Sequence, residues 1–257
     1  MRDLVQGLLV AFGLYSALPL PQAEWKHHTM RYALGFLPLI GVLVGMCQLG
    51  WLWLARYWDV QALFYAAGAV AIPIILTGGI HLDGFADTCD AVCSYGDKEK
   101  KLAILKDPHI GAFGVLWLIV LLIGQLGLAA QLYEVPQAAG IAAVGYVLAR
   151  ACGGYMIVAC PCAKDSGLAH LFADHTDKTK VAWVMRLWMV FCACCLIGRQ
   201  GWFGVLTVCV TAGFFVLYVR RCSRLFGGIT GDLCGMCITL CELIALFAAV
   251  IGGLCMR

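Results

Sequence analysis

The chain has 257 residues, of which 62% are hydrophobic and only 13% charged, and its mean hydropathy is +0.88. A soluble domain carries roughly a quarter charged residues, so there is too little polar surface here to cover a water-exposed globule of this size. The net charge of +3 is small and gives no basic field for nucleic acid, so nucleic acid is not an expected partner and the lipid bilayer is.

In chain order, residues 4–20 form a short apolar stretch ending in Leu18-Pro19-Leu20-Pro21. It carries one preceding arginine, Gln6 within it and no small-residue cleavage site, so it does not read as a removable signal peptide. It is expected to span, or to lie in the interface as a half-inserted helix within an N-terminal segment 1–32. Seven further stretches, near 33–55, 60–80, 111–133, 138–160, 182–198, 201–219 and 233–255, reach the roughly 20 residues a helix needs to cross a bilayer. The expected fold is therefore all-α: one polytopic transmembrane bundle of seven to eight helices over 1–257.

The connecting loops divide by charge. Segments 21–32, 81–110, 161–181 and 220–232 hold Lys26, Arg31, Lys98, Lys100, Lys101, Lys106, Lys164, Lys178, Lys180, Arg220, Arg221 and Arg224, whereas the alternate loops hold Arg56 and Arg199 alone. The positive-inside rule assigns the first set to the cytoplasm and the C-terminus to the far side. The fifteen cysteines lie mostly in apolar runs, where a thiol packs as a small hydrophobe. The lone Cys234-x-x-Cys237 lacks the second ligand pair that a zinc site needs.

Four features carry chemistry. The first is Gly78-Gly79-Ile80-His81-Leu82-Asp83-Gly84-Phe85-Ala86-Asp87-Thr88-Cys89-Asp90, where span 60–80 leaves the membrane. At 3.6 residues per turn, Asp83, Asp87 and Asp90 fall within an arc of about 60° on one helix face. Three stacked carboxylates repel unless a cation neutralises them, and hard oxygen ligands suit Mg²⁺. His81 and Gly84 lie in the same frame, Gly84 allowing close approach to the backbone. The second is Gly227-Gly228-Ile229-Thr230-Gly231-Asp232, entering the last span on the same side. Thr230 and Gly231 at a helix start suit an anion, and Asp232 adds a fourth carboxylate, as metal ligand or as N-cap. The third is Lys106-Asp107-Pro108-His109-Ile110-Gly111-Ala112-Phe113-Gly114, where Lys106 and Gly111 are candidates to hold phosphate. The fourth is a pair of charges within apolar spans, Arg150 and Glu242, which face the bundle interior or a cavity because lipid exposure is costly. They could serve the site or simply pair with each other. Together these residues describe a membrane-bound, Mg²⁺-dependent transfer at a diphosphate.

The motifs G-G-x-H-L-D-G-x-A-D-T-x-D, K-D-x-x-x-G-x-x-G and G-G-x-T-G-D-x-x-G resemble those of the cobalamin synthase family. The likeness includes Leu18–Pro21, Leu37-Pro38-Leu39-Ile40-Gly41 and the run from Gly231-Asp232 to Glu242-Leu243. The resemblance implies an inner-membrane adenosylcobinamide-GDP ribazoletransferase that joins adenosylcobinamide-GDP to α-ribazole, or its 5′-phosphate, and releases GMP. It implies Mg²⁺ held by Asp83, Asp87, Asp90 and Asp232, with Glu242 a further catalytic candidate. His81, Gly84, Lys106, Gly111, Arg150, Thr230 and Gly231 become substrate-binding candidates. A homo-oligomer and docking by soluble cobalamin-biosynthesis enzymes are compatible with it. The competing classes are a membrane prenyltransferase, which needs a second Asp-rich motif; a CDP-alcohol phosphotransferase, which needs two further aspartates after Asp-Gly; and an ion-coupled transporter using Arg150 and Glu242.

Overall fold

The structure, a computed structural model, describes residues 2–21, 27–164 and 167–255. In chain order the α-helices are α1 (Arg2–Tyr15), α2 (His27–Met30), α3 (Leu37–Tyr57), α4 (Ala62–Thr77), α5 (Ile80–Cys93), α6 (Lys98–Ile104), α7 (Ala112–Glu134), α8 (Ala139–Ala159), α9 (Leu168–His175), α10 (Lys178–Gln200), α11 (Trp202–Phe226) and α12 (Gly231–Cys255). Single 3₁₀ turns precede α3 and α8. The described residues form no β-sheet; one isolated bridge joins Cys162 and Ile229.

Six helices are long and apolar enough to cross a membrane, and a seventh crossing is reached if α4 and α5 count as one bent span. This is the pattern of a multi-pass membrane protein. α8 is its axis, with α3, α10 and α12 packed around it. Most of α8 is buried, whereas α7 and α11 turn large apolar side chains such as Leu116, Trp117, Leu206 and Leu217 outward. Apolar exposure on this scale is costly in water and neutral in lipid. No disulfide forms among the described residues, and Cys152, Cys192, Cys234, Cys237 and Cys241 are buried packing residues.

Two expectations need revision. The stretch 60–80 is not one straight span: α4 has sixteen residues, contains Pro73, and stops at Gly78. Gly78 (φ +63°) and Gly79 (φ +75°) both adopt the left-handed region that glycine enters without a Cβ penalty. The chain then turns through 95° into α5, so the aspartate motif lies on a helix running across the bundle rather than in a loop. Residues 220–226, expected in a loop, extend α11. At the N-terminus, α1 has fourteen residues, about 21 Å at 1.5 Å per residue, which is short of a crossing. Its end joins the bundle through Ala17 N–H donating to the Leu76 carbonyl at 2.8 Å.

The loops sorted by charge do share one end of the bundle. Lys164 Nζ donates to the Leu102 carbonyl at 2.9 Å, the Ala163 N–H donates to the Ile229 carbonyl at 2.8 Å while the Ile229 N–H donates to the Pro161 carbonyl at 2.9 Å, and Arg31 pairs with Asp177 at 3.3 Å. Arg56, over the Tyr133 ring, lies at the opposite end with Arg199. Contacts across 60 to 150 residues of sequence thus gather the basic segments into one surface, called the charged end below.

Candidate functional site

The site is built on α5, which is held at three places. At its start, Thr239 Oγ1 of α12 donates to the His81 carbonyl at 3.2 Å. In its second turn, Gly84 lies against the first turn of α12: a Cβ there would sit 2.8 Å from the Asp232 carbonyl oxygen and 2.9 Å from its Cα. The close approach inferred for Gly84 is real, but it admits the α12 backbone rather than a substrate. At the end of α5, the buried Lys101 ammonium donates to the Ala91, Val92 and Ser94 carbonyls at 2.8, 3.2 and 2.7 Å. A cation there satisfies orphan carbonyls and complements the helix dipole.

The three aspartates of α5 do share a face, but they do not share a fate. Asp83 is exposed, Asp87 half-buried and Asp90 buried. Asp90 accepts the Gly111 N–H on Oδ2 at 2.8 Å and the Gly114 N–H on Oδ1 at 2.9 Å. It therefore caps the N-terminus of α7 from a distance of more than twenty residues. Side chains at Gly111 or Gly114 would collide with its carboxylate, so Gly111, expected near phosphate, spends its N–H on Asp90. Asp83 and Asp87 are left facing Asp232 across the α5–α12 contact. Burial first, then the charges of Asp83, Asp232 and Asp90, push the Asp87 carboxyl up to about 6.

Asp232 is not the N-cap of α12. Thr230 is: its hydroxyl accepts the Leu233 N–H at 3.3 Å and donates to Asp232 Oδ2 at 3.3 Å. The Asp232 carboxylate, half-buried in the first turn of α12, is thereby oriented and otherwise left for a ligand. Beside it opens a cavity of about 210 Å³ whose lining includes Lys106, Lys164, His170, Thr230, Gly231 and Asp232. Lys106 therefore reaches the site from its motif, whereas His109 turns outward and pairs with Asp107 at 2.7 Å.

Arg150 and Glu242 pair directly, and Arg150 Nη1 also donates to the Tyr146 carbonyl at 3.0 Å. Both line a second cavity, of about 60 Å³, under α5 with Gln48, Thr77, His81 and Tyr146. His81 is buried there, stacked on Tyr15 at 6.4 Å. The structure thus separates Arg150, Glu242 and His81 from the carboxylates at the charged end, and joins them in a polar layer beneath it.

A divalent cation can be tested against these donors. Among the described residues no three carboxylate, histidine or cysteine groups converge into a cage. Mg²⁺ does not demand one, because it binds through one or two carboxylates and completes its shell with water and phosphate oxygens. Asp83, Asp87 and Asp232 fit that mode, being crowded enough to perturb one another; Asp90, with both oxygens occupied, does not. Sequence reasoning missed Lys101, Lys164 and His170. Lys101 carries no motif, and Lys164 and His170 join the site only because residues 161–164 and 167–170 come together with the 229–232 turn.

The family model described as cobalamin-5-phosphate synthase matches residues 7–250. A relative from Lachnoclostridium phytofermentans, named adenosylcobinamide-GDP ribazoletransferase, is 35% identical over 96% of this chain and 94% of its own. Proteins of the same name from Clostridium botulinum strain Alaska E43 and from Acinetobacter baumannii are each 33% identical, over 97% of this chain and 98% of theirs in the first case and 86% of both in the second. No solved structure matches. A match of this extent, over a chain that carries all three motifs at one end of a helical bundle, means that the protein belongs to the cobalamin-5-phosphate synthase family.

Proposed function

We propose that the chain transfers the cobinamide phosphate of adenosylcobinamide-GDP to a free ribose hydroxyl of α-ribazole, or of its 5′-phosphate, releasing GMP. It does so in a bacterial inner membrane with the charged end facing the cytoplasm. The observation that carries the reading is the meeting of Asp83 and Asp87 on α5 with Asp232 on α12, beside a lysine-lined cavity that shares Asp232. Of the fourteen basic residues in the segments that precede and join the seven long apolar stretches, twelve lie in the set assigned to this end, which supports the cytoplasmic assignment.

In the reaction, the ribazole oxygen forms a bond to the phosphorus retained on cobinamide, and the bond from that phosphorus to the bridging oxygen of GMP breaks. The hydroxyl proton passes to a carboxylate. Asp87 is suited to accept it, because its carboxyl is already raised toward the working pH. Asp83 and Asp232 would hold Mg²⁺ with the diphosphate oxygens. When bound, the ion offsets the diphosphate charge and polarises the phosphoryl group. Asp90 keeps α5 and α7 in register, and the Arg150–Glu242 pair braces α8 against α12 below. The membrane setting suits a large substrate held at the bilayer surface while its diphosphate reaches the aspartates.

The test is to supply purified protein in lipid with adenosylcobinamide-GDP, α-ribazole and Mg²⁺, and to measure GMP and the cobalamin product. Stoichiometric formation of both, lost with a chelator and restored by Mg²⁺, is expected. Absence of product from correctly inserted protein overturns the reading.

A further inference from the structure

The cavity beside Asp232 contains two residues that no motif singled out. Lys164 and His170, both half-buried, line it with Lys106, and Asp232 is the sole carboxylate among its described lining residues. Lys164 Nζ makes one bond to the Leu102 carbonyl, leaving further ammonium donors available. Burial, with the nearby Lys106 charge, lowers the Lys164 pKa, and Asp232 opposes this only in part. Lys164 is half-buried and Lys106 exposed, and an anion entering the cavity they both line would offset their mutual repulsion. The floor also begins α12, whose first N–H groups favour negative charge. A Cβ on Gly231 would meet nothing within 4 Å, so the space above that turn is open. About 10–15 Å³ of such space holds one water, so the cavity of about 210 Å³ has room for a phosphate and part of its sugar.

We propose that Lys106, Lys164 and His170 form the subsite for the leaving nucleotide phosphate, in the cavity that Asp232 lines and Asp83 and Asp87 do not. This rests on the transfer reading above. In-line displacement places the entering and leaving oxygens on opposite sides of phosphorus. The entering hydroxyl must lose a proton, which suits the carboxylate side. The leaving oxygen gains negative charge as its bond to phosphorus breaks, which suits fixed cations. GMP departs as the free phosphate monoester, and the hydroxyl proton goes to the carboxylate side, so the step balances without another reactant. Asp232 is the residue common to both halves: it lines the cavity and its charge acts on Asp87.

The experiment measures binding of labelled GMP to the protein in detergent, together with the KM of each substrate, for Lys164→Gln, Lys164→Arg and His170→Ala. Lys164→Gln keeps a donor for the Leu102 carbonyl and removes the charge, so it separates a tether from an anion ligand. Lys164→Gln and His170→Ala should each weaken GMP about tenfold and raise the KM for adenosylcobinamide-GDP by a similar factor. The KM for α-ribazole should stay within twofold, and Lys164→Arg should retain GMP binding. If wild-type protein turns over but both variants bind GMP within twofold of it, the subsite is overturned while the transfer reading stands. If GMP binding depends on Lys164 but wild type forms no cobalamin product, the transfer reading falls and the nucleotide site remains.

Discussion

Replacing Asp90 with asparagine separates an aspartate that builds the site from one that acts in it. Asp90 holds the Gly111 and Gly114 N–H groups at 2.8 and 2.9 Å, at the N-terminus of α7 and nearly out of solvent. Asparagine keeps one acceptor but turns an NH₂ toward the other N–H, leaving a buried donor unmatched at a cost of about 1–3 kcal/mol. It also removes a negative charge from a helix N-terminus, worth up to about 2 kcal/mol in partly buried geometry. Because the two contributions overlap, a loss of about 3 kcal/mol is expected, roughly a hundredfold in the folded-to-unfolded ratio. Asp83→Asn should do the reverse. Asp83 is exposed and repelled by Asp87, so the variant should unfold at or above the wild-type temperature while losing turnover by orders of magnitude. The assay is unfolding in detergent micelles, followed by fluorescence of the eight tryptophans, with activity measured on the same preparations below the transition. An Asp90→Asn protein as stable as wild type yet inactive would refute the reasoning and return Asp90 to the reacting atoms.

Gly84→Ala places a methyl group within 2.9 Å of the Asp232 backbone, which cannot swing aside. It should cost about 1–3 kcal/mol and, by moving Asp232 from Asp83, lower turnover at least tenfold; wild-type kinetics would contradict the packing. Removing one partner of the buried Arg150–Glu242 pair should cost about 3–5 kcal/mol, whereas Arg150→Met with Glu242→Leu should recover most of that stability. A bracing role further requires that the double variant retain turnover within tenfold of wild type, measured beside its unfolding; total loss would place Glu242 at the reaction. Asp87, with its carboxyl near 6, is neutral below that pH and charged above it, so turnover should rise as pH passes through about 6. Because the Asp83 and Asp232 charges help to raise Asp87, Mg²⁺ held by those two should move that midpoint downward; a midpoint indifferent to Mg²⁺ would exclude them as its ligands.

Much of this was legible from local sequence because its causes are local. Hydropathy over about twenty residues marks a crossing wherever the helix later packs, and loop charge sorts the ends without reference to tertiary contacts. The spacing of Asp83, Asp87 and Asp90 set their common face, since helical period alone determines it. Gly78-Gly79 behind Pro73 carried a signal for the 95° turn that a hydropathy window averages away. What each aspartate does on that face was decided elsewhere. Asp90 became a cap because packing brought the Gly111 and Gly114 N–H groups to it, and Asp232 remained available because Thr230 took the capping bond. Lys101 closed α5 only because α6 folds back beneath it. Arg150 and Glu242, 92 residues apart, pair because α8 and α12 are neighbours. A residue type and its period fix what a side chain can offer; which partner accepts the offer depends on contacts between distant segments, and those exist only in the folded bundle.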